Sequence, residues 1–317
     1  MLRRTVRRCI YGPGRESNSY FPDNYTTLSN KLHHAAELGK WNDRKKGIPQ
    51  KPRDEVGRIT VLHESPRVMV AGRNRVNNFN SNQYLVICRS SNKAVMVDAA
   101  DDWMDDWSIY LREAGVELDL VFLTHLHIDN IIGLHPLSKL QRQTRYAWSP
   151  SDEDWIRWFP RACARYGRTD MQRVKLPIGD LEVGRERGDI LLNAETTRTD
   201  SWFMVGDIMC YYIATPGHSL GHCMLHLPRE RMLFPGDLLG YNQVGRVDLP
   251  NASGQDLAQS LRGLEQFPDN TMLLPGHGRL TSLGRERRCN GGLRRVYEQL
   301  AMGKLVPDVG DNEGAWL

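Results

Sequence analysis

Residues 121–130 read Val-Phe-Leu-Thr-His-Leu-His-Ile-Asp-Asn. The apolar and β-branched run 121–124 predicts a short buried strand, and the polar residues after it predict a tight turn at the carboxyl edge of a sheet. His125 and His127 sit two apart, so an extended backbone sends both imidazoles to the same side. One or two histidines alone are ordinary surface or core residues. Three later stretches repeat the arrangement: Thr215-Pro216-Gly217-His218, Pro235-Gly236-Asp237 and Pro275-Gly276-His277-Gly278. Each follows an apolar run and sets a metal-binding side chain just past a strand, beside a glycine. Four loops of this kind predict one metal site assembled from distant parts of the chain.

Working outward, residues 58–62, 67–70, 84–88 and 94–97 are β-prone, with Ser90-Ser91-Asn92-Lys93 as the turn of a hairpin. The stretch 74–83 between them is polar and turn-rich. Asp98 ends the hairpin, where an acid fits two roles: support behind the site or the lead-in to a helix over 101–111. A helix over 133–140 and a strand over 144–148 follow. The order β-hairpin, α, β, α, β fits two sheets flanked by helices, an α/β fold. Over 151–190 the expectation is a helix at 152–159, with Pro160 starting a new segment. Trp155, Trp158 and Phe159 share a face there, amid Arg157, Arg161, Arg165 and Arg168. An aromatic stripe on the core, a substrate lid and a surface for an anionic partner all fit. Strands resume at 202–205, 208–214, 223–227 and 231–234. An amphipathic helix is expected at 252–267, a last strand at 270–274 and a last helix at 284–302.

The chain has 317 residues, enough for one large domain or two small ones. Its 40% hydrophobic and 25% charged fractions are those of a globular protein, and no apolar run approaches the roughly 18–20 residues of a membrane helix. Six cysteines (Cys9, Cys88, Cys163, Cys210, Cys223, Cys289) form no C-x-x-C pair, which argues against a disulfide framework or zinc knuckle. The net charge of +4 is uneven: residues 1–53 hold 12 basic and 4 acidic residues, the remainder 30 and 34. The arm opens with Arg3, Arg4, Arg7 and Arg8 on one helical side and Leu2, Val6 and Ile10 on another. That pattern resembles a mitochondrial presequence and would place the protein in the matrix. The same composition fits a disordered basic tail, or an arm for RNA or an acidic protein. Trp316 and Leu317 end the chain on an apolar pair suited to tucking onto the body or onto a partner.

Taken together, the motifs T-H-L-H-I-D-N (124–130), T-P-G-H-S-L-G-H (215–222), P-G-D (235–237), G-R-V-D-L-P (245–250) and P-G-H-G (275–278) resemble the metallo-β-lactamase superfamily, in its glyoxalase II-like hydrolase branch. The spacing from Gly284-Arg285-Glu286-Arg287 to Asn290 matches as well. The resemblance runs over residues 57–291. It divides the chain into a basic, mostly irregular extension (1–56), a metallo-β-lactamase-like domain (57–303) and a tail (304–317).

The resemblance implies an αββα sandwich with a metal site at one edge of its two sheets. It implies a first metal on His125, His127 and His218, with Asp237 bridging to a second on Asp129, His277 and position 130. Family members carry histidine at that position; this chain has Asn130. Three imidazoles and a carboxylate complete a zinc site, whereas an amide oxygen shifts the second site toward manganese or iron(II). The expectation is one zinc, with a second site that is weak, empty or differently filled. Asp129 would then accept a hydrogen bond from metal-bound water and aim it. Tyr241 and Arg246, after the Asp237 loop, are candidates to face substrate, with an ion pair the other reading of Arg246. His222 reads as support or packing, His135 and His226 as structural, and His33, His34 and His63 carry no signal.

Three functions fit. The first is hydrolysis of a thioester or related acyl substrate by metal-bound hydroxide. About 40 residues follow His277, too few for the helical domain with which glyoxalase II grips glutathione, so short glyoxalase II-like proteins are the closer comparison. The second is a degenerate enzyme kept as a structural or assembly component of a mitochondrial ribonucleoprotein complex. The third is a persulfide dioxygenase with one iron on His125, His218 and Asp237.

Overall fold

A computed structural model describes residues 50–193 and 201–302. Residues 1–49 of the arm, with its arginine-rich start, and the tail with Trp316 and Leu317 lie outside the described residues.

Seven strands form the first sheet, in spatial order β1 (Thr60–Glu64), β2 (Val68–Arg73), β3 (Gln83–Cys88), β4 (Lys93–Val97), β5 (Glu117–Phe122), β6 (Arg145–Trp148) and β7 (Ile190–Leu191). The first four pair antiparallel as a meander; β4 to β7 pair parallel, joined by helical crossovers. Those crossovers are α1 (Met104–Ala114), then α2 (Ile128–Ile131) with α3 (Leu134–Leu140), then α4 (Glu153–Arg165) with α5 (Leu181–Arg187). The second sheet has the order β15 (Thr281–Ser282), β14 (Met272–Leu273), β11 (Met232–Phe234), β10 (Cys223–Leu227), β9 (Ile208–Ala214), β8 (Trp202–Val205). A hairpin, β12 (Leu239–Gly240) with β13 (Gln243–Val244), stands apart from both. Helices α6 (Gly254–Gly263), α7 (Leu283–Cys289) and α8 (Gly291–Ala301) complete the fold.

All six residues of β3 are buried, because both faces of the first sheet are covered. Leu85 and Ile87 join Met104, Trp107, Leu137 and Phe159 under the helices on one side. Tyr84 and Val86 join Phe122, Val205, Cys210, Leu225 and Phe234 between the sheets. The outer face of the second sheet carries Ile213, Met224 and Leu233 against Leu257 and Leu261 of α6 and Leu293 of α8. The layers are therefore helix, sheet, sheet, helix: the αββα sandwich expected from sequence. Among the described residues no helix is long and apolar enough to cross a membrane.

Three elements differ from expectation. The strand ahead of the histidines begins at Glu117, since Leu118 and Leu120 extend the buried face. Pro160 does not begin a segment. It lies inside α4 with its ring exposed, while buried Phe159, Ala162 and Cys163 on either side hold the helix to the core. The last helix is broken at Asn290, whose side chain caps α8 by accepting the Leu293 N–H at 3.1 Å. The same side chain donates to Gln243 O at 3.1 Å and Glu286 Oε2 at 3.0 Å, so the break serves the packing of three elements.

Candidate metal centre

Past β5 the chain turns sharply, and a buried acid holds the turn. Asp98 takes a left-handed conformation (φ 60°) at the end of β4. Its Oδ1 accepts the Thr124 N–H at 2.8 Å, and the Thr124 hydroxyl lies 3.0 Å from both carboxylate oxygens. The same hydroxyl is 3.0 Å from His125 Nδ1. Asp98 therefore supports the site from behind; the acid that leads into α1 is Asp101, which accepts the Trp103 N–H at 2.8 Å. Burial pushes the Asp98 carboxyl up to about 8, against the pull of the Thr124 hydrogen bonds.

The second buried acid is Asp152. It accepts the Leu126 N–H at 3.1 Å, the Ser219 hydroxyl at 2.8 Å and the Gly221 N–H at 2.7 Å. One carboxylate thus ties the loop after β5 to the loop carrying His218. Gly217 has φ 130°, and a Cβ there would lie 2.1 Å from Leu257 N, so only glycine lets that loop pass beneath α6.

Between these anchors His125, His127 and His218 form a near-equilateral triangle, with ring centroids 4.6, 4.7 and 4.8 Å apart. Their ligand atoms all lie within 4.8 Å of one another, and the residues are 2, 5 and 2% exposed. The His218 Nδ1 sits 2.9 Å from the Arg246 carbonyl, which can only accept, so Nδ1 carries a proton and donates it there. Burial, reinforced by mutual repulsion, holds His125 and His127 well below the usual histidine range, so both are neutral and each keeps one nitrogen lone pair. The Nε2 atoms of His127 and His218 and Oδ1 of Asp237 are buried without a hydrogen-bond partner among the described residues. Such orphans cost free energy unless something else satisfies them. Converging imidazoles, two of them with orphaned nitrogens, beside an orphaned carboxylate oxygen fit a divalent cation.

Beside the triangle lies a second group. His277 Nε2 is 3.0 Å from Asp129 Oδ2 and 3.4 Å from Asp237 Oδ2, and Asp237 Oδ2 is also 3.4 Å from His218 Nε2. Asp237 therefore stands between the two groups, as a bridging residue must. Burial opposes charge on both His277 and Asp237. Their attraction, aided by Asp129, wins: His277 is raised well above the ordinary range and Asp237 held well below it. Asn130 is not with this group. It is fully buried in α2, and its amide nitrogen lies 2.9 Å from His125 Nε2.

His222 supports the site: its Nδ1 is 2.8 Å from the Thr215 hydroxyl, and its Nε2 accepts the Asp237 N–H at 3.2 Å. Burial pushes it down to about 3. His135 and His226 are structural, against the Lys175 carbonyl and the Phe267 ring. Arg246 forms the ion pair that one of its readings expects. It pairs with Asp248 at 2.5 Å and also lines a cavity of about 630 Å³ together with His218, Asp237 and His277. Tyr241 instead lies under the Arg285 guanidinium, 3.8 Å from ring centroid to cation. Of the aromatics in α4, Trp155 and Phe159 are core, and Trp155 meets His127 edge-on at 4.3 Å.

Sequence reasoning missed Asp152 and the loop 76–82. There the Asn77 amide donates to the Asp129 carbonyl at 2.8 Å, and the Ser81 hydroxyl donates to Asp129 Oδ2 at 3.1 Å. The signal was the density of asparagine in Asn77-Asn78-Phe79-Asn80-Ser81-Asn82, a composition that bonds its own backbone and tolerates left-handed turns.

The chain is similar to several known proteins. The hydroxyacylglutathione hydrolase GloC of Haemophilus influenzae is 24% identical over 188 residues, covering 57% of this chain and 78% of that one. A hydroxyacylglutathione hydrolase of Bartonella henselae is 36% identical over 200 residues, 60% of this chain and 64% of that one. Among solved structures, TTHA1623 in a di-iron-bound form superposes with a TM-score of 0.55 at 27% identity, covering 68% of this chain and 96% of that one. Residues 76–277, which span every side chain of the two groups, match the family model of the metallo-beta-lactamase superfamily, and to that superfamily the chain belongs.

Proposed function

We propose that the protein is a metal-dependent hydrolase of the glyoxalase II-like type, acting on a thioester or related acyl substrate. The observation that carries this reading is the triangle of buried histidines opening, through Asp237 and His277, on a cavity large enough for a small molecule. His125, His127 and His218 would hold a zinc ion, and the oxygen-rich group of Asp129, Asp237 and His277 a weaker manganese or iron(II). A metal in this setting polarises a carbonyl oxygen and supplies hydroxide at neutral pH.

The chain's own residues do the rest. Asp129, whose carboxylate is held by Ser81 and His277, would orient the attacking water and take up its proton. Water adds to the acyl carbon, the carbon–sulfur bond breaks, and the departing thiolate receives a proton. Trp155 keeps solvent off the His127 side, and Arg246 lines the cavity where an acyl or thiol tail would lie. The similarity to two hydroxyacylglutathione hydrolases supports the substrate class. The basic pattern of residues 1–10 supports delivery to the mitochondrial matrix, which imaging of a tagged full chain tests.

One observation favours a second reading. With Asn130 turned toward His125, the Asp129 group has three protein ligands and one ion per chain is enough, as in a single-iron persulfide dioxygenase. Elemental mass spectrometry on the gel-filtered full chain, followed by assays with hydroxyacyl-glutathione thioesters and with persulfides, separates the two. Zinc or manganese with thioester hydrolysis is the expected result. Iron with persulfide oxidation selects the second reading. A chain with no bound metal overturns both and leaves a scaffold, whose protein or RNA partner would be sought through the basic arm and the arginine-aromatic segment.

A further inference from the structure

The segment that leads into the domain carries a buried cation. Lys51 is 3% exposed, although it precedes the first strand. Its backbone is tied down at both ends: its N–H donates to Asp102 Oδ2 at 3.0 Å, and its carbonyl accepts the Trp103 indole N–H at 2.9 Å. Asp102 is itself held by the Arg168 guanidinium. The Lys51 ammonium then reaches the Asn77 carbonyl at 3.3 Å and Asn80 Oδ1 at 3.2 Å. A buried ammonium is retained only where its donors find acceptors, and here both acceptors belong to one loop.

That loop, 76–82, holds the second half of the site. Asn77 accepts the N–H groups of Phe79 and Ser81 through its Oδ1, at 3.0 and 3.2 Å, and so shapes the loop from inside. Its Nδ2 fixes the Asp129 carbonyl, and Ser81 fixes the Asp129 carboxylate. Ser81 forms a β-bridge with His277, and the Asn82 N–H donates to the Gly276 carbonyl at 2.7 Å. Asn80, at φ 60°, turns its amide back to meet the lysine. The bonds run without a gap from the ammonium, through one loop, to Asp129 and His277.

We propose that Lys51 is a positioning residue for the Asp129–His277 half of the site, acting through loop 76–82. The leading segment is thereby part of the site's machinery, and any processing of the arm must stop short of it. The proposal takes from the functional reading only that Asp129 and His277 belong to the site.

Hydrogen exchange on the full chain tests it without metal or substrate. Lys51→Met keeps the volume and the burial and removes the donors. Exchange over 76–82 and 275–278 is expected to quicken about tenfold or more, as for loss of a hydrogen bond to a charged group, while 223–227 stays protected. Lys51→Arg is expected to restore most of the protection. Asn80→Gly suits the left-handed backbone, removes one acceptor and should quicken the same two stretches to a lesser degree. Arg53→Ala breaks the neighbouring ion pairs to Asp105 and Asp106 and should leave them unchanged. Unchanged exchange in Lys51→Met and Asn80→Gly overturns the proposal, and so does acceleration spread evenly over the chain or matched by Arg53→Ala. Cobalt(II) titration adds a separate readout: in Lys51→Met the first equivalent binds as before and the second about 10- to 100-fold more weakly. A parent chain that takes no second equivalent sinks the two-ion reading and leaves the exchange result standing.

Discussion

His125 cannot be replaced by a group that merely fills space, because its worth lies in a lone pair held neutral by burial. His125→Ala is expected to lose the bound metal and, with it, the stabilisation a bound ion gives the native state. Metal analysis and a melting curve check this; unchanged values for both remove the site. His222→Phe keeps the ring beside His125 but takes away the acceptor of the Asp237 N–H. Metal affinity is expected to fall about 10- to 100-fold, with the chain still folded by circular dichroism. Asn130→His tests the departure at that position. An imidazole is longer than the amide now resting on His125, and in swinging toward Asp129 and His277 it should strengthen binding of a second ion, read as a second equivalent in a zinc titration.

Elements show why some parts were legible in the sequence and others were not. The strands were, because short apolar, β-branched runs and hairpin turns leave local traces, as in β3, where Tyr84 faces the inter-sheet core and Leu85 the helical side. So were the candidate ligands, since three loops join histidine or aspartate to glycine at a strand end and the first sets two histidines and an aspartate there. Asp152 was not: nothing near it in sequence announces that its oxygens serve Leu126, Ser219 and Gly221. The break at Asn290 was hidden because the partners of its side chain lie on β13 and α7. Pro160 misled because local rules make it a helix stop, and packing on both sides overrode them. Pro160→Ala restores a helical N–H on an exposed face, and after the lost unfolded-state restriction is subtracted it should stabilise by about 1 kcal/mol. A melting point unchanged or lowered would show that the helix has adapted to proline.

For the whole molecule, acid sensitivity follows from histidines kept neutral inside it. Burial pushes His226, packed on Phe267 away from the site, down to about 4. An unfolded histidine titrates near 6.5, so below that pH the unfolded chain takes the proton first. Stability is lost as the pH falls from about 6.5 toward 4, and the loss levels off below that. His226→Leu should flatten the melting-temperature profile within this window and leave it unchanged above pH 7; parallel profiles would show that His226 is not a source of the loss.

The two halves of the sandwich contribute to the site unequally in time. Asp129 and His277 are 148 residues apart in the chain, and His125 and His127 belong to the half that is made first. At a synthesis rate of about 5–20 residues per second, the first pair of imidazoles waits about 7–30 s for the last of its companions. Through that interval two imidazoles without their companions would favour whichever divalent ion binds nitrogen most tightly, which in the first transition row is copper. A site meant for another ion would therefore be loaded after translation, once Asp152 ties the loop after β5 to the loop carrying His218.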